Sequence, residues 1–312
     1  GNTALSWESN NQFDVALEFG ILKNRVSGVL EFFNRESDDL LFAVPLPLST
    51  GVSSQTRNIG AMFNRGIEIQ LDLVPVKTKD FSWTLSLNAT TYRNEITRMP
   101  ESNPEIISGT KKLKVGSSLF DYWLREWYGV NPTNGDGEYR AASFVAANSR
   151  INEKGDTLTT SLNNARFRYN GSAIPDFTGG ITNTIDYKGF SLSVLFIYQI
   201  GGLIYDANYQ SLMSSSGYGS AKHVDILNRW QKAGDITNVP RADVGRSVDF
   251  TGTSDYWLTD GTSLNLRNVS LSYSFPSSFL KKAKIQGMQI FMNAENLALW
   301  NQFLPACLDA LH

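Results

Sequence analysis

The chain has 312 residues, with 28 Lys+Arg against 30 Asp+Glu, a formal net charge of −2, 41% hydrophobic residues and 10 Pro. This near balance lacks the clustered basic excess of a nucleic-acid binder, and the apolar content excludes a wholly disordered chain. No stretch reaches the roughly 18 consecutive apolar residues of a membrane-spanning helix. A single Cys307 excludes an internal disulfide or a multi-Cys zinc site, and His223 and His312 leave little material for a His-based centre.

The chain opens GNTALSWESN, with neither an initiator Met nor an apolar leader, and is read as processed or as a piece of something longer. From there the dominant period is two. Eight long strands are predicted near 11–20, 25–36, 58–74, 81–95, 177–187, 190–201, 262–275 and 287–296. In the first, Phe13, Val15, Leu17 and Phe19 alternate with Asp14, Ala16 and Glu18. In the third, Ile67, Ile69, Leu71 and Leu73 alternate with Glu68, Gln70 and Asp72. The fourth sets Phe81, Trp83, Leu85, Leu87 and Ala89 against Ser82, Thr84, Ser86, Asn88 and Thr90. The sixth carries Phe190, Leu192, Val194, Phe196 and Tyr198 on one side. Successive side chains of a strand point to opposite faces, so each segment has one apolar and one mainly polar face. In 262–275 the apolar phase changes between Leu266 and Val269, which marks a bulge.

The connections alternate between short ones (21–24, 75–80, 188–189, 276–286) and long ones (37–57, 96–176, 202–261). Consecutive antiparallel strands put alternate connections at opposite ends, so the short turns share one rim and the long loops the other. Bacterial outer-membrane barrels have this asymmetry, with apolar residues toward lipid and polar residues toward the lumen. Each segment reaches the about 9–11 residues that span a bilayer. The predicted fold is all-β, an antiparallel transmembrane β-barrel portion. Two other readings share the pattern: a soluble all-β module holding a carbohydrate with its loop aromatics, and a passive porin. A continuous outward apolar band flanked by aromatic girdles separates a barrel from a sandwich, which buries that face in a dry core.

Three segments in the last third of the chain, LNRWQKAGDITNVPRADVG (227–245), SDYWLTDGTSLNLRNVSLSYSFP (254–276) and MNAENLALW (292–300), resemble the C-terminal part of the SusC/RagA family of TonB-dependent outer-membrane transporters. Upstream, NRESDDLLF (34–42), RNIGAMFNRGIEIQLD (57–72) and IPDFTGGITNTIDYKGFSLSVLFIYQIGG (174–202) are similar to the family in the same order. The resemblance implies a bacterial outer-membrane location and a large barrel with an N-terminal plug, energised by the TonB complex. It also implies a SusD-like surface lipoprotein as partner and uptake of an oligosaccharide or peptide. Such barrels have about 22 strands, so residues 1–312 are expected to be the C-terminal part of one, without plug, TonB box or remaining strands. The tail NQFLPACLDALH (301–312) departs from the family. Outer-membrane lipid is an expected partner; nucleic acid, cofactors and metals are not.

Aromatic residues gather in the long loops: Tyr122, Trp123, Trp127 and Tyr128 in DYWLREWYG, then Tyr205, Tyr209, Trp230, Tyr256 and Trp257. Flat rings suit the apolar faces of sugars, so these nine are the candidate ligand- or partner-binding residues. Taken singly, large aromatics more often pack loops together or form an interfacial girdle. NPTNGDGEY (131–139) superficially looks like a calcium loop, but its acids, Asp136 and Glu138, lack the required intervals, and Asn-Gly and Asp-Gly are turn chemistry. Asp14, Glu18, Glu68, Gln70, Asp72, Asn88 and Asp186 are predicted to solvate the lumen wall. Glycosylation sequons at Asn88, Asn170 and Asn268 carry little weight, since two lie inside predicted strands. Enzyme signatures such as GxSxG, a P-loop, HExxH or GxGxxG are absent from the sequence. His223, in AKHVDILNRW, is read as structural on a short helix, and Asp38-Asp39 as adjacent strand residues on opposite faces.

Overall fold

The computed structural model describes residues 5–58, 60–101, 103–214, 219–243, 250–281 and 284–301. Cys307, His312 and the divergent tail from residue 302 onward lie outside the described residues.

Eight long strands form one antiparallel sheet in chain order, the meander of a barrel wall. They are β1 (Ser9–Ile21), β2 (Val26–Asp38), β3 (Ala61–Lys77), β4 (Phe81–Arg98), β5 (Phe177–Tyr187), β6 (Phe190–Ile200), β7 (Ser263–Ser274) and β8 (Gln289–Asn301). All eight match predicted segments, with shifted ends. The sequence reading ended the third strand at 74, before Pro75, which cannot donate to a ladder. The structure carries β3 on to Lys77, because the register shifts between Leu73 and Val76 and places Pro75 in that irregularity. The expected bulge in β7 falls at Arg267, skipped in the pairing with both β6 and β8.

Register turns the separate alternations into two continuous faces. One rung runs Leu17, Leu30, Ile69, Ala89, Gly179, Tyr198, Leu264 and Trp300, crossing all eight strands. The next apolar rung is Phe19, Gly28, Leu71, Leu87, Ile181, Phe196, Leu266 and Ala298. Between them, on the opposite face, lie Glu18, Gln70 and Asn88. Asp14, Glu68, Asp72 and Asp186 share that polar face, where Ser86 donates to Asp72 at 2.5 Å.

The apolar face remains open. Phe13, Val15 and Leu17 are 54–62% exposed, and among the described residues no second sheet covers this face. A sandwich would have buried it. At the short-turn rim Phe81 meets Tyr187 with ring centroids 6.4 Å apart, Tyr187 pairs with Phe190, and Phe190 meets Tyr273 at 4.4 Å. Phe177, Tyr198 and Trp300 stand near the other rim of the same face. These rows are the aromatic girdles of a membrane barrel. Asn183 also falls on the apolar face, and its carbonyl accepts from the Trp83 indole at 2.8 Å, which satisfies a polar group that lipid cannot. Gly179 is required here, since a Cβ would lie 2.6 Å from the Tyr198 hydroxyl that donates to the Asn88 carbonyl.

The long connections are folded rather than irregular. The first holds a hairpin, Leu41–Pro45 with Ser54–Asn58. The second builds two four-stranded sheets, and the third adds a two-stranded pair, Leu203–Tyr205 with Leu258–Asp260. The reading of Asp38 and Asp39 as pointing apart is corrected: β2 ends at Asp38, Asp39 adopts φ +56°, and both carboxylates meet Arg98, at 3.5 and 3.2 Å.

Candidate functional site: the loop cap

The buried core lies in the loops, not in the wall. In the strand Asp121–Arg125 burial alternates, so Tyr122 and Leu124 point inward, with Glu126 following, while Trp123 and Arg125 face the other way. The aromatic run DYWLREWYG is therefore split by the two-residue period into separate environments.

Tyr122 is buried, its ring 6.5 Å from Tyr205, and its hydroxyl both donates to the Leu203 carbonyl and accepts from the Tyr205 amide, each at 3.3 Å. The Lys111 ammonium sits 3.4 Å from the centre of the Tyr122 ring. Burial pushes this amine down to about 8, against the opposing pull of Asp121. Trp123 stacks on Phe167 and meets Tyr169 edge-on at 4.8 Å, with the Lys112 ammonium 4.5 Å over its ring.

Trp127, Tyr209, Tyr256 and Trp257 converge around Phe250 and Tyr139. Trp127 lies 5.1 Å from Tyr139 and 5.2 Å from Tyr256; Trp257 lies 4.6 Å from Tyr256 and 5.7 Å from Tyr209. The Trp257 indole donates to the Gly252 carbonyl at 3.0 Å, so its one polar group is paired although the ring is 1% exposed. Burial raises the hydroxyl pKa values of both Tyr209 and Tyr256.

The other two predicted rings sit outside this cluster. Tyr128 is exposed, lies under the Arg140 guanidinium and accepts from the Asn152 amide at 2.9 Å. Trp230 covers the turn at 131–136: its indole donates to the Pro132 carbonyl at 3.1 Å. Gly135, at φ +77°, has no room for a Cβ, which would fall 2.4 Å from the Trp230 ring. NPTNGDGEY is thus a hairpin turn whose acids face arginines. Glu138 accepts from Arg150 at 2.6 and 2.5 Å, and Asp136 from Arg241 at 3.2 Å.

Sequence reasoning missed the charged centre of the cap. Glu126, 7% exposed, meets Arg140 at 2.9 Å, Arg166, and Arg168 at 3.7 Å. Arg168 continues to Asp255 at 3.5 Å, and Asp255 accepts from the Trp127 amide at 2.7 Å. Burial raises the Asp255 pKa, while the Arg140 hydrogen bond lowers that of Asp156. Arg125 donates to the Leu162 carbonyl at 2.9 Å and the Thr253 carbonyl at 3.2 Å. Together these contacts fasten the second and third long connections into one body. A signal was present in the alternation that sets Glu126 on the Tyr122 face, but its partners come from segments further along the chain. His223 caps a short 3-10 turn at Val224–Asn228, its Nδ1 accepting from the Asp225 amide at 3.2 Å. The sequon at Asn170 also falls in a strand, Phe167–Ser172, and this asparagine donates to the Leu124 carbonyl.

A single open sheet with lipid-type girdles, short turns at one rim and a folded cap at the other defines an outer-membrane β-barrel wall. Residues 1–297 match the family described as "TonB dependent receptor-like, beta-barrel", and the chain belongs to it. It is 29% identical to the TonB-dependent receptor P3 of Formosa agariphila, over 97% of this chain and 30% of that protein. It is 26% identical to the TonB-dependent receptor SusC of Bacteroides thetaiotaomicron, over 95% of this chain and 29% of that protein. Among solved structures, that of the RagAB peptide transporter superposes with a TM-score of 0.82 at 25% identity, covering 97% of this chain and 33% of that one. The chain thus spans about a third of the length of the relatives it matches. The family is one of outer-membrane receptors, and this chain is an outer-membrane protein similar within it to SusC and to the RagAB transporter.

Proposed function

We propose that residues 1–312 form the C-terminal wall and outer loops of a larger SusC-like, TonB-dependent transporter that takes up an oligosaccharide or peptide. The observation that carries this reading is the cap: two long connections locked together by the Trp127–Tyr256–Trp257 cluster and the Glu126 network, on the rim that faces outward in such barrels. Their rigidity supplies a preformed surface for capture. Tyr128, the exposed ring among the nine, and Trp123 and Trp230, which are partly exposed and lie outside the Trp127–Tyr256–Trp257 cluster, are its contact residues, either for the ligand or for a SusD-like lipoprotein seated above. The polar wall face lines the passage, and a plug contributed by residues outside this chain closes it until the TonB complex displaces it.

The test is uptake by cells carrying the intact gene, its deletion, or a Tyr128→Ala/Trp230→Ala variant, each offered labelled oligosaccharides and peptides with and without functional TonB. Loss of uptake on deletion and on TonB removal is expected. Uptake that persists without TonB would instead mark a passive pore.

A further inference from the structure

The four short connections, residues 22–25, 78–80, 188–189 and 275–288, lie far apart in the chain, and the meander brings them to one rim. They hold seven of the chain's 28 Lys+Arg and one of its 30 Asp+Glu, Asp80. The long connections at the opposite rim, 39–60, 99–176 and 201–262, hold 15 Lys+Arg against 17 Asp+Glu. The basic excess is therefore confined to the short-turn rim, and the fold is what collects it.

Every turn contributes. Lys23 and Arg25 stand in the first, Lys79 in the second, Lys188 in the third, and Lys281 and Lys284 in the fourth. All six are exposed, and none forms an ion pair among the described residues. The wall acids close to this rim, Asp72 and Asp186, lie on the polar inner face. Successive turns are two strands apart, about 10 Å, comparable with the Debye length of about 8 Å at physiological salt. Their fields therefore overlap along the rim.

What these cations face follows from the girdle beside them. Phe81, Tyr187, Phe190 and Tyr273 form the aromatic row on the outward face at this rim. The Lys188 ammonium lies 5.3 Å from the centre of the Tyr187 ring, so this cation sits against the lipid-facing girdle itself. Lys79 belongs to the neighbouring turn, tied on where the Lys188 amide donates to the Asp80 carbonyl at 3.1 Å. Aromatic girdles mark the membrane–water interface, so cations just beyond one stand at headgroup depth. Lysine suits that place, its methylenes lying along apolar surface while the ammonium stays in water.

We propose that the short-turn rim binds anionic phospholipid headgroups of the periplasmic leaflet. Polybasic segments beside a membrane are drawn to such headgroups by charge. Here the charge is spread over all four turns and continues the lipid-facing girdle, which fits a leaflet rather than an acidic protein docked at one place.

The experiment uses the intact outer-membrane protein, reconstituted in phosphatidylcholine vesicles with a trace of spin-labelled phosphatidylglycerol or spin-labelled phosphatidylcholine. Electron spin resonance reads the fraction of label immobilised at the protein surface. The wild type is expected to immobilise about twofold more phosphatidylglycerol than phosphatidylcholine, below the roughly fivefold of one membrane-adjacent lysine because the signal averages the whole perimeter. This excess is expected to shrink at about 0.5 M NaCl, to fall in K79Q/K188Q and further in K23Q/K79Q/K188Q/K284Q, and to persist in K79R/K188R. Equal immobilisation of the two labels by the wild type, a comparison that needs no variant, would overturn the proposal and leave the rim to an acidic periplasmic partner. An excess unchanged by salt, or unchanged in both glutamine variants, would overturn it as well and place the selectivity elsewhere on the perimeter.

Discussion

The wall and the loop cap solve the same problem with opposite distributions of apolar surface. In the wall, Phe13, Val15 and Leu17 stay exposed because lipid, not protein, covers them; in the cap, Trp257, Leu124 and Tyr139 are sealed within the protein. Burial alone therefore says little about a residue's contribution in this molecule. A leucine 62% exposed at position 17 and one fully buried at position 124 are both at home. What differs is how each region fails. The wall fails when charge enters lipid, and the cap when its internal partners are removed.

The largest effects are expected in the cap. Trp257→Ala removes the ring that joins Tyr209, Phe250 and Tyr256, and such truncations cost about 3–5 kcal/mol. Glu126→Ala leaves Arg140, Arg166 and Arg168 without their shared carboxylate, a smaller loss than the tryptophan truncation, since these arginines are partly exposed to water and Arg140 and Arg168 keep Asp156 and Asp255. Both should make 99–176 and 202–262 sensitive to protease on intact cells while the barrel wall still migrates as a folded band. If both variants resisted protease like the wild type, the docking of the two connections would contribute little to their order.

Next in size is a contrast between faces of one strand. Leu85→Arg, near the middle of the apolar band, should cost about 2–4 kcal/mol in urea unfolding from lipid vesicles, whereas Thr84→Arg on the polar face should cost far less. Spin labels at odd positions 81–89 should be accessible to lipid-dissolved oxygen and those at even positions should not. Equal behaviour of the two sets would remove the assignment of faces.

The difference between the two regions also explains what could be read in advance. Each wall strand writes its environment in its own sequence, because a period of two is local. Eight strands, their rims and the Arg267 bulge followed from it. The cap depends on partners far apart in the chain, such as Arg125 with Thr253 and Trp127 with Asp255. Aromatic density in DYWLREWYG pointed to the right segments, but only the fold separates Tyr122, facing Tyr205, from Trp123, facing Phe167. Glu126 was passed over because a lone carboxylate among rings carries no local mark of the three arginines that meet it. Pro75 misled in the other direction, since a strand irregularity absorbs the donor it lacks.

The smallest effect is a pH dependence confined to the cap. Burial raises the Asp255 pKa above its ordinary 3.8, so the native cap holds this proton to higher pH than the unfolded loops do. As pH rises from 3.8 through the folded value, the unfolded state loses its proton first, and the stability that protonated Asp255 lends the cap declines. Above the folded pKa the decline is complete. Asp255→Asn removes this titration while still offering an acceptor to the Trp127 amide. The protease resistance of the wild-type cap should therefore fall between acid and neutral pH more steeply than that of D255N. Asp156 has the opposite sign: held down by Arg140, it contributes stability above 3.8 that is lost as pH falls through its folded pKa. Asp156→Asn should accordingly alter the profile only on the acid side of the ordinary carboxylate range. Parallel profiles for wild type and D255N above pH 3.8 would show that Asp255 titrates alike in the folded and unfolded cap.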